Sequence, residues 1–363
     1  MIGAAFMNSS LLQNTRSNAR KAFDSLVLPE LTYGLDIRAP ISESVLVFSD
    51  VEEKPASLFH ETNEHIVICD LETALEKFPN EMKKIGSLLS LKNKFESYHL
   101  AHLRHGLVVI VPENVQSQNP VVLPGISAPH SHVLIVVGKN STVFIDHIEG
   151  SHSSAHPVHS SGVEIFAEEN AHVSYSSLQD YSQGHHFSFK RAHVGKGASV
   201  DWHWAELGSS FVKADISSFL ANEDASSLNV GVFAGFHNQV LDMDASMIHE
   251  KPRTKSKMFA RGCVNDYSKS VYKGLIKMTK EAKSASGHQK SDVLILSPNA
   301  EADPIPILEI EGSDMNCSHA ATVGRLDPQK MFYLTSRGLD EVTARALYLR
   351  GFFEFALHYF PFC

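Results

Sequence analysis

From about Ser10 to Leu26 the chain sets Leu11, Leu12, Ala19, Phe23 and Leu26 among mostly polar residues. That spacing predicts one amphipathic helix, ended by the proline of LVLPE. A second helical stretch is predicted from about Asp70 to Leu89, where Leu71, Ala74, Leu75, Phe78, Met82, Ile85 and Leu88 recur every three or four residues, interrupted near Pro79. At about His105 the period changes, and HGLVVIVPENV, HVLIVVGKNSTVFI, GVEIFAEENAHVSYSSL, HHFSFKRAHVGKGASVDWHWAEL and VKADISSFLANEDASSLNVGVF read as short strands broken by polar turns. Within this β segment a strand, turn and strand unit recurs, with markers at Val143, Val173, Val200 and Leu228 that lie 30, 27 and 28 residues apart. A unit too small to bury its own apolar face, repeated at near-constant spacing, predicts stacked coils: a mainly β chain with a β-solenoid (β-helix) core rather than a sandwich. From Leu326 the pattern is helical again, with Asp327 as N-cap, Pro328 at the first position, Gly338 as terminator and Asp340 capping the last helix. That helix, EVTARALYLRGFFEFALHYF, carries Leu347, Leu349, Phe352, Phe353 and Phe355, more apolar surface than a solitary helix buries, so docking onto the body or a partner is expected. Three regions follow: a mixed, mostly helical 1–104, a β core 105–325 and a helical 326–363.

Composition narrows the function classes. The 363 residues include 32 Lys plus Arg against 41 Asp plus Glu, a net charge of -9, which gives no global attraction for nucleic acid or anionic lipid. No run approaches the ~20 apolar residues that cross a bilayer. Neither nucleic acid nor membrane is expected as a partner. The four cysteines, Cys69, Cys263, Cys317 and Cys363, form no CxxC pair, and the first residues lack a secretory pattern, so reduced thiols in the cytoplasm are expected.

The sharpest candidate site is NCSHAATVG, where Cys317 and His319 point to one face if the segment is extended, ~6 to 7 Å apart along the chain. Thiolate is a soft iron ligand or a sulfur nucleophile, and imidazole ligates iron or lowers a thiol pKa. One Cys and one His cannot alone hold a cluster that wants about four ligands. A small buried Cys beside a hydrogen-bonded core His is the structural alternative. A second cluster, His130 and His132 of PHSH with His152, His156 and His159, resembles an HxH metal site, but no Glu follows at the expected distance, and these histidines are expected to be solvated. Cys263 is a lone thiol, and Cys69, in an apolar run, is expected in the core. Neither GxxxxGK[ST], GxGxxG nor GxSxG occurs, so an ATP-driven role needs a separate subunit.

In the C-terminal half, LDMDASMIH, VYKGLI, the PILEI strand, CSHAATVG and FYLTSRG together resemble the SufB/SufD family of iron-sulfur cluster assembly scaffolds, over about His105 to Gly351. The resemblance implies a right-handed parallel β-helix flanked by helical regions, and a non-catalytic scaffold of an ATP-driven complex. Ala320 follows His319, which resembles the SufD type or an undivided ancestral form. Also implied are pairing with a SufB-like subunit, or a second copy, through the β-helix edge, recruitment of the SufC ATPase by the C-terminal helices, and a transient iron-sulfur cluster with no tightly bound cofactor in the isolated chain. Cys317 and His319 fall on the interface motif and would be transient iron ligands. Phe332, Tyr333, Arg337, Leu347, Phe352 and Phe353 are the partner-binding candidates, and Pro306 to Cys317 is the candidate pairing edge. The competing reading is a metal-binding, cupin-like β-protein or enzyme using His130 and His132.

Overall fold

The computed structural model describes residues 2–29, 32–33, 37–38, 45–46, 58–126, 128–150 and 157–360. Helix α1 spans Ile2–Ser25. The short strands β1 (Thr32–Tyr33) and β2 (Ile37–Arg38) pair with each other, and β3 (Phe59–Glu61) and β4 (Val67–Asp70) pair antiparallel. The second predicted helix is shorter than its apolar spacing suggests. α2 covers only Leu71–Lys77, and a 3-10 turn takes Glu81–Lys84. The reason is local: Pro79 biases Phe78 out of the helical region, and Gly86 adopts a left-handed φ of 72°. A third helix, α3 (Lys94–Ala101), capped by the Asn93 side chain, was not anticipated.

Then the chain coils. Strands β5 (His105–Val111), β7 (His130–Val137), β9 (Val158–Ala167), β11 (His185–Val194), β13 (Phe211–Leu220), β15 (Val240–His249), β17 (Lys269–Met278) and β19 (Glu301–Ile310) stack in parallel, with β4 and β3 added antiparallel beside β5. The alternate strands β6 (Val121–Val122), β8 (Thr142–Glu149), β10 (His172–Gln179), β12 (Ser199–Glu206), β14 (Ser226–Gly235), β16 (Lys255–Val264), β18 (Ala285–Ile295) and β20 (Met315–Arg325) form the facing eight-stranded sheet. The result is a mainly β chain with a parallel β-solenoid of about seven turns flanked by helices at both ends. Helices α4 (Pro328–Ser336) and α5 (Glu341–Leu357) follow, capped by Asp327 and Asp340.

The turn of each coil explains the repeat. Asn140, Asn170 and Asp224 hold left-handed φ near 60°, as does Gly197, and Asn140 donates to Asn114 Oδ1 while Asn170 donates to Asn140 Oδ1. One marker was displaced: Val143, Val173 and Val200 are register partners, but the next member of the column is Ser227, not Leu228. Ser227 takes the inward position because its hydroxyl donates to the Val200 carbonyl at 2.7 Å, while Leu228 faces outward beneath the C-terminal helix.

Three apolar layers result. The interior core runs between the two sheets and includes fully buried Trp202 and Trp204, whose indole N–H groups donate to Ser218 and Asn229. A second layer packs α1, α2 and α3 on the outer face of the larger sheet through Phe23, Phe95, Tyr98 and Phe187. A third seats α5 and the residues just after it on the outer face of the eight-stranded sheet, Ala356 of the helix and Phe360 beyond it against Val230 and Val232. Among the described residues no helix is long and apolar enough to cross a membrane.

Candidate functional site

Strand β20 ends the eight-stranded sheet, and its register sets Cys317 beside Gly287 and His319 beside Gln289 of β18. Followed back through the stack, Cys317 continues the column Ser256, Ser227, Val200, and His319 the column Met258, Asn229, Trp202. All six are buried in the interior. In-register strands keep a column on one face, so Cys317 and His319 both point toward the solenoid interior. Among the described residues no later coil covers them: Cys317 is half-buried against the core and His319 is exposed. Burial pushes the Cys317 thiol up from its ordinary value, opposed by the Ser318 backbone N–H. Gln289, the neighbour of His319, is buried with Oε1 unpartnered.

The backbone of this strand is equally exposed. Ser286 and Leu296 donate to Thr254 and Val264 of the preceding coil. Peptide groups alternate sides along a parallel strand, so the register turns the odd-numbered groups of β20, those of Cys317 and His319 included, to the open edge. On β19, Glu301 and Glu311 donate back to Ser268 and Met278, which turns the even-numbered Pro304 and Pro306 outward. Proline there removes no ladder bond and offers no N–H to an incoming strand. Within the candidate edge Pro306 to Cys317, the β19 portion is therefore blunted, whereas β20 carries no proline.

The structure divides the six partner-binding candidates. Phe332 is 74% and Tyr333 56% exposed, Leu347 and Arg337 are exposed, and the Arg337 guanidinium lies over the Tyr333 ring. Phe352 and Phe353 are half-buried by the docking of α5: Phe353 joins the layer on Val230 and Val232, and the Phe352 carbonyl accepts from Arg261.

The histidines of PHSH are not solvated. His130, His132 and His159 are buried, because α3 and the next coil cover this end of the sheet. His99 Nδ1 meets Ser160 Oγ at 2.9 Å and its Nε2 meets His132 Nδ1 at 3.0 Å, while His132 Nε2 meets Glu164 Oε2 at 2.9 Å. Both His132 nitrogens are thus engaged, and among the described residues no three His, Cys, Asp or Glu form a metal-holding group. The HxH metal reading finds no ligand set here; His152, His156 and Cys363 lie outside the described residues. Cys69 and Cys263 are buried, and burial pushes both thiols up to about 11. Asp242 and Asp244 of LDMDASMIH pair with Lys273 of VYKGLI and with Lys213, an ion lattice on the larger sheet.

A further buried group escaped the sequence reading. Glu149 and Glu206 face His186 and Lys190 across the interior at 3.5 to 3.7 Å. Burial would raise the Glu149 carboxyl, yet Lys190 and His186 hold it well below the usual range; burial would lower His186, yet the two carboxylates hold it up. The signal was the polar His186, Ser188 and Lys190 at inward alternate positions of HHFSFKRAHV, with Glu206 ending the inward set of SVDWHWAE.

The comparisons with known proteins converge. The family described as "SUF system FeS cluster assembly, SufBD core domain" matches residues 121–352. An iron-sulfur cluster assembly SufBD family protein of Staphylococcus saprophyticus is 26% identical over 348 residues, covering 92% of this chain and 73% of the relative. Like-named proteins of Staphylococcus aureus, among them that of strain MRSA252, match with the same identity and coverage.

Proposed function

With more than half of its length matched by the SufBD core, this chain belongs to the SufBD family of iron-sulfur cluster assembly proteins, and we propose that it is a non-catalytic, SufD-like scaffold subunit working in the cytoplasm. In this reading a transient iron-sulfur cluster is its cargo. The observation that carries it is the placement of Cys317 and His319 together on the inward face of an uncovered terminal strand whose edge is unpaired. Two ligands of this kind cannot close the coordination of cluster iron, so the remaining ligands come from a second subunit, SufB-like or a copy of this chain, pairing along β20. Incomplete ligation suits a scaffold: a site completed across an interface releases its product when that interface opens. The exposed surface of α4 and α5, with Phe332, Tyr333, Arg337 and Leu347, is assigned to the SufC ATPase.

The test is reconstitution of the complex with iron and sulfide under anaerobic conditions, following cluster absorption for the wild type, Cys317→Ser and His319→Ala. Both variants are expected to assemble as complexes but to build cluster slowly and in low yield. Wild-type rate and yield in both would leave the chain as a structural adaptor only.

A further inference from the structure

Outside the Cys317 and His319 site, on the outer face of the eight-stranded sheet, a groove of about 350 Å³ crosses the first residues of β14, β16, β18 and β20. Helix α5 covers later parts of β14 and β16, leaving their starts open. Lys255 and Lys257 enter the groove from β16, two residues apart and so on one face, roughly 7 Å from each other along the strand. The chain is net negative, and elsewhere its strand lysines sit beside carboxylates: Lys269 pairs with Glu301, Lys277 with Glu309, and Lys213 with Asp242, each the register partner on the next strand. Lys255 instead has Ser226 and Ser286 as register partners, and Lys257 has Leu228 and His288. Among the described residues neither ammonium has an ion pair within 4 Å, although Lys255 is near enough to the exposed Asp224 to help lower that carboxyl, and the Ser226 and Ser286 hydroxyls have no hydrogen-bond partner. His288 Nδ1 meets Ser318 Oγ at 2.7 Å, which leaves Nε2 available.

We propose that this groove binds a diphosphate group, carried by a small phosphorylated molecule. Two ammonium groups spaced along a strand match two linked phosphates rather than one, and the hydroxyls and imidazole supply further hydrogen bonds to phosphate oxygens. The one carboxyl in the lining, Asp201, lies two strands from Lys257, roughly 10 Å away, and burial pushes it toward its neutral form. Asn316 and Ser318 occupy the outer side of the strand whose inner side carries Cys317 and His319, so the ligand would rest on the back of that motif without touching it.

Calorimetric titration of the intact protein with inorganic pyrophosphate, at constant ionic strength, tests the assignment. One saturable site is expected, weakened roughly tenfold by Lys255→Gln or Lys257→Gln and roughly a hundredfold by both, with binding retained by Lys257→Arg and by Lys280→Gln outside the groove. Unchanged circular dichroism would show that the variants fold. Sulfate, which meets one ammonium at a time, is expected to bind more weakly. Absence of a saturable site, equal affinity in the double variant, an equal loss in Lys280→Gln, or sulfate binding as tightly as pyrophosphate would each overturn the proposal.

Discussion

Arg191 Nη2 donates to Glu96 Oε1 at 2.6 Å and to Asp215 Oδ2 at 2.8 Å, a buried bridge that ties helix α3 to strands β11 and β13 of the solenoid. Burial raises the Glu96 carboxyl against the pull of Arg191, while Asp215 and Glu96 together hold the Arg191 guanidinium up against the same burial. Removing the shared cation strands the carboxylate: Arg191→Ala leaves Glu96 buried without its partner and is expected to cost about 3 to 5 kcal/mol in urea denaturation. A cost below about 1 kcal/mol would mean that the helical cap is held by apolar packing alone.

Acid should loosen the fold through histidines held neutral. Burial lowers His249 from its ordinary 6.5 to about 4, with Nδ1 against Thr254 and Nε2 against Ser256. Above pH 6.5 both folded and unfolded states hold it neutral and nothing is lost. As pH falls below 6.5 the unfolded state takes up the proton first, so stability declines by about 3 kcal/mol by pH 4 from this residue. Urea midpoints of wild type and His249→Gln at pH 7, 5.5 and 4.5 check the sign: the variant should show the shallower decline.

Aromatic rings in the interior rest on glycine. A methyl group on Gly231 would meet Trp204 Cζ2 at 2.0 Å, and one on Gly262 would meet Phe233 Cε2 at 2.0 Å. Gly231→Ala is expected to destabilise by about 1 to 3 kcal/mol. In the background of Trp204→Ala the same change should cost less, and thermal unfolding of the four proteins of that cycle measures the coupling.

The proposed ATPase surface separates from the surface that docks α5. Phe332→Glu and Tyr333→Glu alter exposed side chains, so their unfolding midpoints should stay within about 0.5 kcal/mol of wild type while capture of the SufC ATPase is lost. Phe353→Ala, which touches the Val230 and Val232 layer, should lower stability instead. ATPase capture undiminished in both Glu variants would move the contact elsewhere.

Thiol accessibility should follow burial. Cys317 is the one half-buried cysteine among the described residues, against buried Cys69 and Cys263. Brief treatment with iodoacetamide near pH 8, mapped by mass spectrometry, should modify Cys317 well before those two. Equal labelling of Cys263 would show that the α5 layer opens readily.

The alternation of apolar residues and the turn sequences GKNSTV, AEENAHV, VGKGASV and ANEDASSL were enough for the solenoid, because each coil must put small residues and left-handed Asn, Gly or Asp at the same corner. The helix caps Asp327 and Asp340 were legible for a similar reason, since capping is a local bond between a side chain and the N–H groups a few residues on. Adjacency of Cys317 and His319 on one face followed from the two-residue period of a strand. Which face, and that it is the uncovered end of the stack, depended on seven coils of register that no local pattern encodes. The slip from Ser227 to Leu228 has that origin: hydrophobicity favours Leu228 inside, but the register places Ser227 there, where its hydroxyl bonds the Val200 carbonyl of the preceding coil, and α5 supplies Leu228 with a cover. Likewise the histidines of PHSH read as solvated until α3, some thirty residues earlier in the chain, is seen to lie over them and to bring His99 within hydrogen-bond reach of His132, with Glu164 supplied by β9 of the next coil. Local spacing determines which residues share a face; only the packing of distant segments decides whether that face meets water, a core or a partner.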